Sequence, residues 1–166
     1  MKQIVPSDIT IRPVRDPDSA ALFALLTAVF AEYPGCLMET SEYPELLQPA
    51  SSFAKMSGQF WVAEFQEEVV GSIAIIPNSE PHRWEIKKLY TYAQVRGIGL
   101  GKTLLDSAET YARHAQAKSI HLWTDTRFRA AHRFYERQGY QRLADTRHLN
   151  DVSQSVEYHY QKLLNT

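Results

Sequence analysis

The chain has 166 residues and 44% hydrophobic content, with 18 Lys and Arg against 19 Asp and Glu for a formal net charge of -1. That length suits one domain with a single substantial core, and the balance of charge excludes a general attraction to nucleic acid or to an anionic membrane. Cys36 is the only cysteine, so no intramolecular disulfide can form; no signal-peptide core or membrane-length run occurs, and a soluble, cytoplasmic protein is expected.

Asp8 to Val14 alternates and predicts a short first strand, at an edge because it contains Pro13. Asp16-Pro17-Asp18-Ser19 opens a helix through Ala20 to Phe30, which Pro34-Gly35 ends. A weaker helical segment is expected from about Ser41 to Met56, with a kink or break at Pro49. Gln59 to Phe65 and Val69 to Ile76 read as a hairpin joined through Gln66-Glu67-Glu68.

Arg83 to Thr91 is the most informative strand. Trp84 and Ile86 share one parity, whereas Leu89 and Thr91 take the other, which predicts a β-bulge near Lys87 and Lys88. After a Gly-rich loop, Leu100, Leu104, Leu105, Ala108, Tyr111, Ala112 and Ala115 share one helical face. Ser119 to Thr124 forms the next strand, parallel to Arg83–Thr91 because a single helix separates them. A helix from about Arg127 to Gln138 follows, with Thr126 as its cap and Gly139 at its C-terminal turn. Tyr140 to Leu143 begins a sixth strand, Asp145 to Gln154 reads as a polar loop, and Val156, Tyr158 and Tyr160 alternate in a last strand that could serve a homodimer interface.

The loop itself, Gln94 to Leu105, places glycines where a helix begins. Unpaired N–H groups and the positive end of the helix dipole coincide there, which is the chemistry of a phosphate site. The dinucleotide pattern G-x-G-x-x-G fails because Lys102 stands at its third glycine. The nucleotide P-loop keeps Gly101, Lys102 and Thr103, with Ile120 to Asp125 as a magnesium-holding strand, but has Arg96 in place of its first glycine. The pattern R/Q-x-x-G-x-G/A is matched in full by Arg96, Gly99 and Gly101.

That last pattern resembles the pyrophosphate-binding motif of the GNAT superfamily, the acetyl-CoA-dependent N-acetyltransferases. Glu85 to Tyr90 before the loop and Ala131 to Tyr140 after it extend the resemblance over roughly Arg83 to Tyr140. It implies a single α/β (α+β) domain over the whole chain: a mixed sheet of about seven strands, splayed between the fourth and fifth and flanked by about four helices. It further implies that backbone amides of Arg96, Gly97, Ile98, Gly99, Leu100, Gly101 and Lys102 hold the pyrophosphate of coenzyme A. Leu89, Tyr90 and Thr91 would pair with pantetheine as an added strand, with the Leu89 N–H also facing the thioester oxygen.

By the same resemblance Tyr135 is the proton donor to the departing thiolate and Glu85 the general base for the attacking amine. The expected reaction is direct acetyl transfer from acetyl-CoA to a primary amine, with no metal and no covalent intermediate on Cys36. The acceptor, a small molecule or a peptide, is left open. Glu32, Glu39, Glu42 and Glu45, with Tyr33 and Tyr43 among them, suggest an acidic surface that attracts a cationic amine. Phe128 stands where family members often carry an asparagine, so the polar contact to the coenzyme is expected either to be missing or to come from Thr126 or Arg127. The histidines show no ligand spacing. A non-catalytic acyl-CoA-binding module is the alternative, and nucleotide phosphoryl transfer a more distant one.

Overall fold

A computed structural model describes residues 3–165, so the first two residues of the N-terminal stretch and Thr166 lie outside it. Among the described residues the strands are β1 (Thr10–Pro13), β2 (Gln59–Phe65), β3 (Glu68–Pro77), β4 (Arg83–Thr91), β5 (Ser119–Asp125), β6 (Gln141–His148) and β7 (Val156–Leu163). The α-helices are α1 (Ser19–Phe30), α2 (Pro49–Lys55), α3 (Leu100–His114) and α4 (Arg129–Arg137). The order is the one expected, and the strands form one sheet, β1-β2-β3-β4-β5-β7-β6. Every neighbouring pair is antiparallel except β4 and β5, which the α3 crossover makes parallel.

Strand periodicity divides the apolar residues between two cores. Trp61, Ala63, Ile73, Ile75, Ile86, Ile120 and Leu122 pack with the apolar stripe of α3 and with Tyr135 of α4. Phe60, Val62 and Ala74, of opposite parity, pack with α1, α2 and the segment between them.

Three boundaries and one expected interface differ from expectation. Pro49 opens α2 at its first turn, where its missing N–H costs nothing, and the preceding residues form 3-10 turns at Thr40–Glu42 and Pro44–Leu46. Thr126 does not cap α4; the Asp125 carboxylate accepts the Arg127 N–H at 2.8 Å, and the helix starts at Arg129. β6 extends through His148, its polar residues standing on an exposed edge rather than in a loop. β7 lies between β5 and β6, and Tyr160 is fully buried, so Tyr160 is not available to an interface.

Candidate active site

The alternation break in β4 is a bulge. Ser72 of β3 opposes Tyr90 and Ala74 opposes Lys87, so the register shifts between them, and Lys88 takes a left-handed φ of +57°. The buried Ser72 hydroxyl donates to the Lys88 carbonyl at 2.6 Å and pins the irregular turn. Beyond it β4 parts from β5: the parallel register covers Arg83 to Ile86 only. Lys87 to Thr91 therefore present one backbone edge to a cavity of about 570 Å³ instead of to a strand.

The Gly-rich loop closes the far side of this cavity. Gly97 and Gly99 have φ of +82° and +84°, a region that side chains rarely occupy, and Gly99 is the cap of α3. The Arg96 N–H is bonded to the Ala93 carbonyl at 3.2 Å, so the free set begins one residue later than expected. From Gly97 to Lys102 no backbone acceptor among the described residues takes the N–H groups. Ile98 is not part of the lining and faces Ile9 and Ile11 instead, whereas Gly97 and Gly99 to Lys102 line the cavity; donors so placed at a helix N-terminus fit an anionic phosphate group.

The side chains here are engaged elsewhere. The Arg96 guanidinium donates to both Glu32 oxygens at 2.6 and 2.8 Å and to the Thr91 carbonyl at 2.7 Å, tying the end of α1 to the end of β4. Lys102 pairs with Asp106 at 2.7 Å, and the Thr103 hydroxyl donates to the Gly99 carbonyl at 3.1 Å. Asp125 is held by Arg127 through contacts of 2.9 and 2.7 Å. The side chains that a P-loop would use, Lys102, Thr103 and Asp125, thus have partners within the chain. Burial tends to raise the Asp125 carboxyl, but these Arg127 bonds outweigh it and hold the group below the usual carboxylate range.

Tyr135 stands on the cavity wall between Tyr140 and Phe134. Its ring is 6% exposed, and burial pushes the phenol well above its ordinary value with no hydrogen-bond partner contributing. A protonated hydroxyl with no internal partner is available to a ligand. Glu85, expected as the general base, is not part of the cavity lining, and its carboxylate lies 3.6 Å from the Lys87 ammonium.

At the opposite end, Tyr33, Phe128, Trp123, Asp125 and Glu157 complete the wall. Phe128 packs on Tyr33 with ring centres 4.7 Å apart, Arg127 is paired with Asp125, and neither Thr126 nor Arg127 is part of the cavity lining. The two segments beside this end clasp one another: the Leu37 N–H donates to the Ser153 hydroxyl at 2.7 Å and the Val152 N–H to Glu42 at 2.6 Å.

Glu32, Glu39, Glu42 and Glu45, expected to form an acidic surface, each have a partner within the chain, a cation for Glu32 and Glu45 and a neutral donor for Glu39 and Glu42. Glu32 holds Arg96, Glu39 accepts from Ser41, Glu42 binds the Val152 N–H, and Glu45 pairs with Lys88 at 2.7 Å. Lys88 is the group that sequence reasoning missed. Burial pulls its ammonium below the ordinary range against the opposing pull of Glu45, and it lies over the Tyr43 ring at 4.7 Å.

Comparison with known proteins agrees with this geometry. The chain is 30% identical over 148 residues to the uncharacterized N-acetyltransferase YjgM of Escherichia coli K12, covering 86% of this chain and 88% of that one. It is 42% identical over 77 residues to the aminoalkylphosphonate N-acetyltransferase of Salmonella typhimurium, covering 44% of this chain and half of that relative. The structure of the PaiA N-acetyltransferase of Thermoplasma acidophilum in complex with coenzyme A shares the fold, with a TM-score of 0.70 at 18% identity over 94% of this chain and 99% of that one. The model of the acetyltransferase (GNAT) family matches residues 22–140, and the chain belongs to that family.

Proposed function

We propose that the protein transfers an acetyl group from acetyl-CoA to the primary amine of an acceptor, by direct attack in a ternary complex. One observation carries this reading: Gly97 and Gly99 to Lys102, whose N–H groups have no backbone acceptor among the described residues, and Tyr135 line one cavity, opened where β4 parts from β5. The amides suit a pyrophosphate, and the edge of Leu89, Tyr90 and Thr91 suits an extended pantetheine arm. Fixed donors such as the Leu89 N–H act most strongly where negative charge develops on the thioester oxygen.

Tyr135 then gives its proton to the departing sulfur; burial keeps the phenol protonated at neutral pH, so the proton is in place when the sulfur departs. Glu85, set back from the lining, takes part as a base only through intervening water. The acceptor site lies at the Tyr33, Phe128 and Glu157 end. A cytoplasmic setting supplies the acetyl-CoA and fits a described chain in which no helix is long and apolar enough to cross a membrane.

Thermal unfolding with acetyl-CoA, CoA and Mg-ATP in parallel tests the coenzyme site. A ligand at a hundred times its dissociation constant stabilises by about 2.7 kcal/mol. Stabilisation by both CoA species and none by Mg-ATP is expected, followed by amine-dependent thiol release. CoA binding with no turnover on any amine would favour a sensing module instead.

A further inference from the structure

We propose that Glu157 of β7 is the carboxylate that docks the acceptor's ammonium group and accepts the first proton it sheds. The inference rests on the acetyl-transfer reading and assigns a direct proton acceptor within it. Two carboxylates line the cavity among the described residues, Asp125 and Glu157. Asp125 has both oxygens occupied by Arg127. In Glu157, Oε1 accepts from Arg147 Nε at 2.7 Å, whereas Oε2 has no donor among the described residues.

Position supports the same assignment. Glu157 stands opposite Asp125 on β5 and Arg147 on β6, so the sheet aims it rather than a mobile loop. Its side chain is 15% exposed, which thins the water around it without sealing it from the cavity. It faces the reacting end as well: after burial and their nearer neighbours, both the Lys88 ammonium and the Tyr90 phenol feel its charge. Lys88 does not compete for it, being paired with Glu45 at 2.7 Å. Arg147 restricts one oxygen and leaves the other for an N–H donor from the ligand.

The protons balance. The ammonium gives one proton to Glu157 and becomes a nucleophile; its nitrogen forms the C–N bond to the acetyl carbon as the C–S bond breaks. Sulfur takes the phenolic proton of Tyr135, and the nitrogen's second proton restores that phenol. Glu157 releases its proton to solvent.

The test compares wild type with Glu157→Gln, Glu157→Asp and Glu85→Gln. Thiol release is followed on a panel of 2-aminoethylphosphonate, aspartate, spermidine and an alanine-initiated peptide, and CoA-induced thermal stabilisation reports folding of each variant. For the acceptor that wild type uses, Glu157→Gln is expected to lose roughly a hundredfold or more in kcat/KM, the scale of a lost general base, with CoA stabilisation intact. Glu157→Asp, which keeps the charge but draws it back by one methylene, is expected to retain more activity than Glu157→Gln. A folded Glu157→Gln with wild-type turnover, or a hundredfold loss in Glu85→Gln alone, overturns the assignment. Absence of turnover in wild type across the panel counts against the acetyl-transfer reading and against Glu157 with it, whereas failure of Glu157 alone leaves that reading standing.

Discussion

The Ser72 hydroxyl donates to the Lys88 carbonyl at 2.6 Å, and this bond fixes the place where the active-site strand leaves its regular ladder. Lys88 needs its left-handed conformation to redirect Leu89, and a buried donor on β3 holds it there. Ser72→Ala leaves that carbonyl without its side-chain donor, which costs about 1–3 kcal/mol. Denaturant unfolding should show the loss, and turnover should fall by about tenfold as the Leu89 N–H loses its aim. Unchanged stability and turnover would mean that the flanking ladder alone holds the bulge.

Tyr135→Phe removes one oxygen from a ring whose packing against Tyr140, Phe134 and Tyr160 can persist. The expected result is a kcat lower by roughly 10²–10⁴-fold, the range for a positioned acid, with CoA stabilisation retained. An unaltered kcat removes Tyr135 from the chemistry and leaves it as a packing residue.

Much of this arrangement was legible in the sequence because it is local. The break in alternation within Arg83 to Thr91 marks the bulge, and the spacing of Arg96, Gly99 and Gly101 marks the Gly-rich turn that opens α3, since both patterns record backbone geometry that particular side chains permit. Other features depend on long-range pairing and were not legible. Glu157 looks like the polar half of an alternating strand until β7 is placed between β5 and β6, beside the cavity. Ser72 is a small polar residue in an apolar run, with a partner sixteen positions away. The acids between Glu32 and Glu45 read as a charged face because sequence shows their number, while the fold decides that Arg96, Val152 and Lys88 are waiting for three of them.

Gly99→Ala separates backbone conformation from contact. At φ +84° an added Cβ meets nothing within 4 Å, so the cost to the fold is strain alone, about 1–2 kcal/mol. Escape from that strain turns the flanking N–H groups out of line, and CoA stabilisation should drop well below that of wild type. Gly101→Ala is the control: a Cβ there makes ordinary contact with the Phe134 ring at 3.5 Å, within a helix that favours alanine. Equal CoA stabilisation of Gly99→Ala and wild type would show that the loop's left-handed turn is dispensable for binding.

Acid should weaken the fold through His121, a buried imidazole of β5 that is bonded to His159 of β7. The Asn78 oxygen already accepts from the Ser79 hydroxyl and the Glu80 N–H, so its nitrogen is the donor to His121 Nε2 at 2.9 Å. His121 therefore carries its proton on Nδ1 and donates to His159 Nε2 at 2.9 Å, and His159 Nδ1 donates to Asp145 at 2.9 Å. Both rings are satisfied while neutral, and a second proton on His121 would point at the Asn78 donor. Burial, then the charge of Arg83, lowers His121 to about 4 from 6.5, and burial lowers His132 in the same direction. Between those two values the unfolded chain binds more protons at His121 than the folded one, so stability rises with pH across the window and is lost on acidification from about 6.5 towards 4. With part of the effect screened by solvent at the exposed Asp145 end, about 1–2 kcal/mol of that loss belongs to His121. Urea unfolding at pH 7, 6, 5 and 4.5 should show a shallower dependence for His121→Gln than for wild type, even though the variant starts less stable at pH 7. Parallel curves for the two proteins would place the acid sensitivity elsewhere, with His132 the next imidazole to substitute.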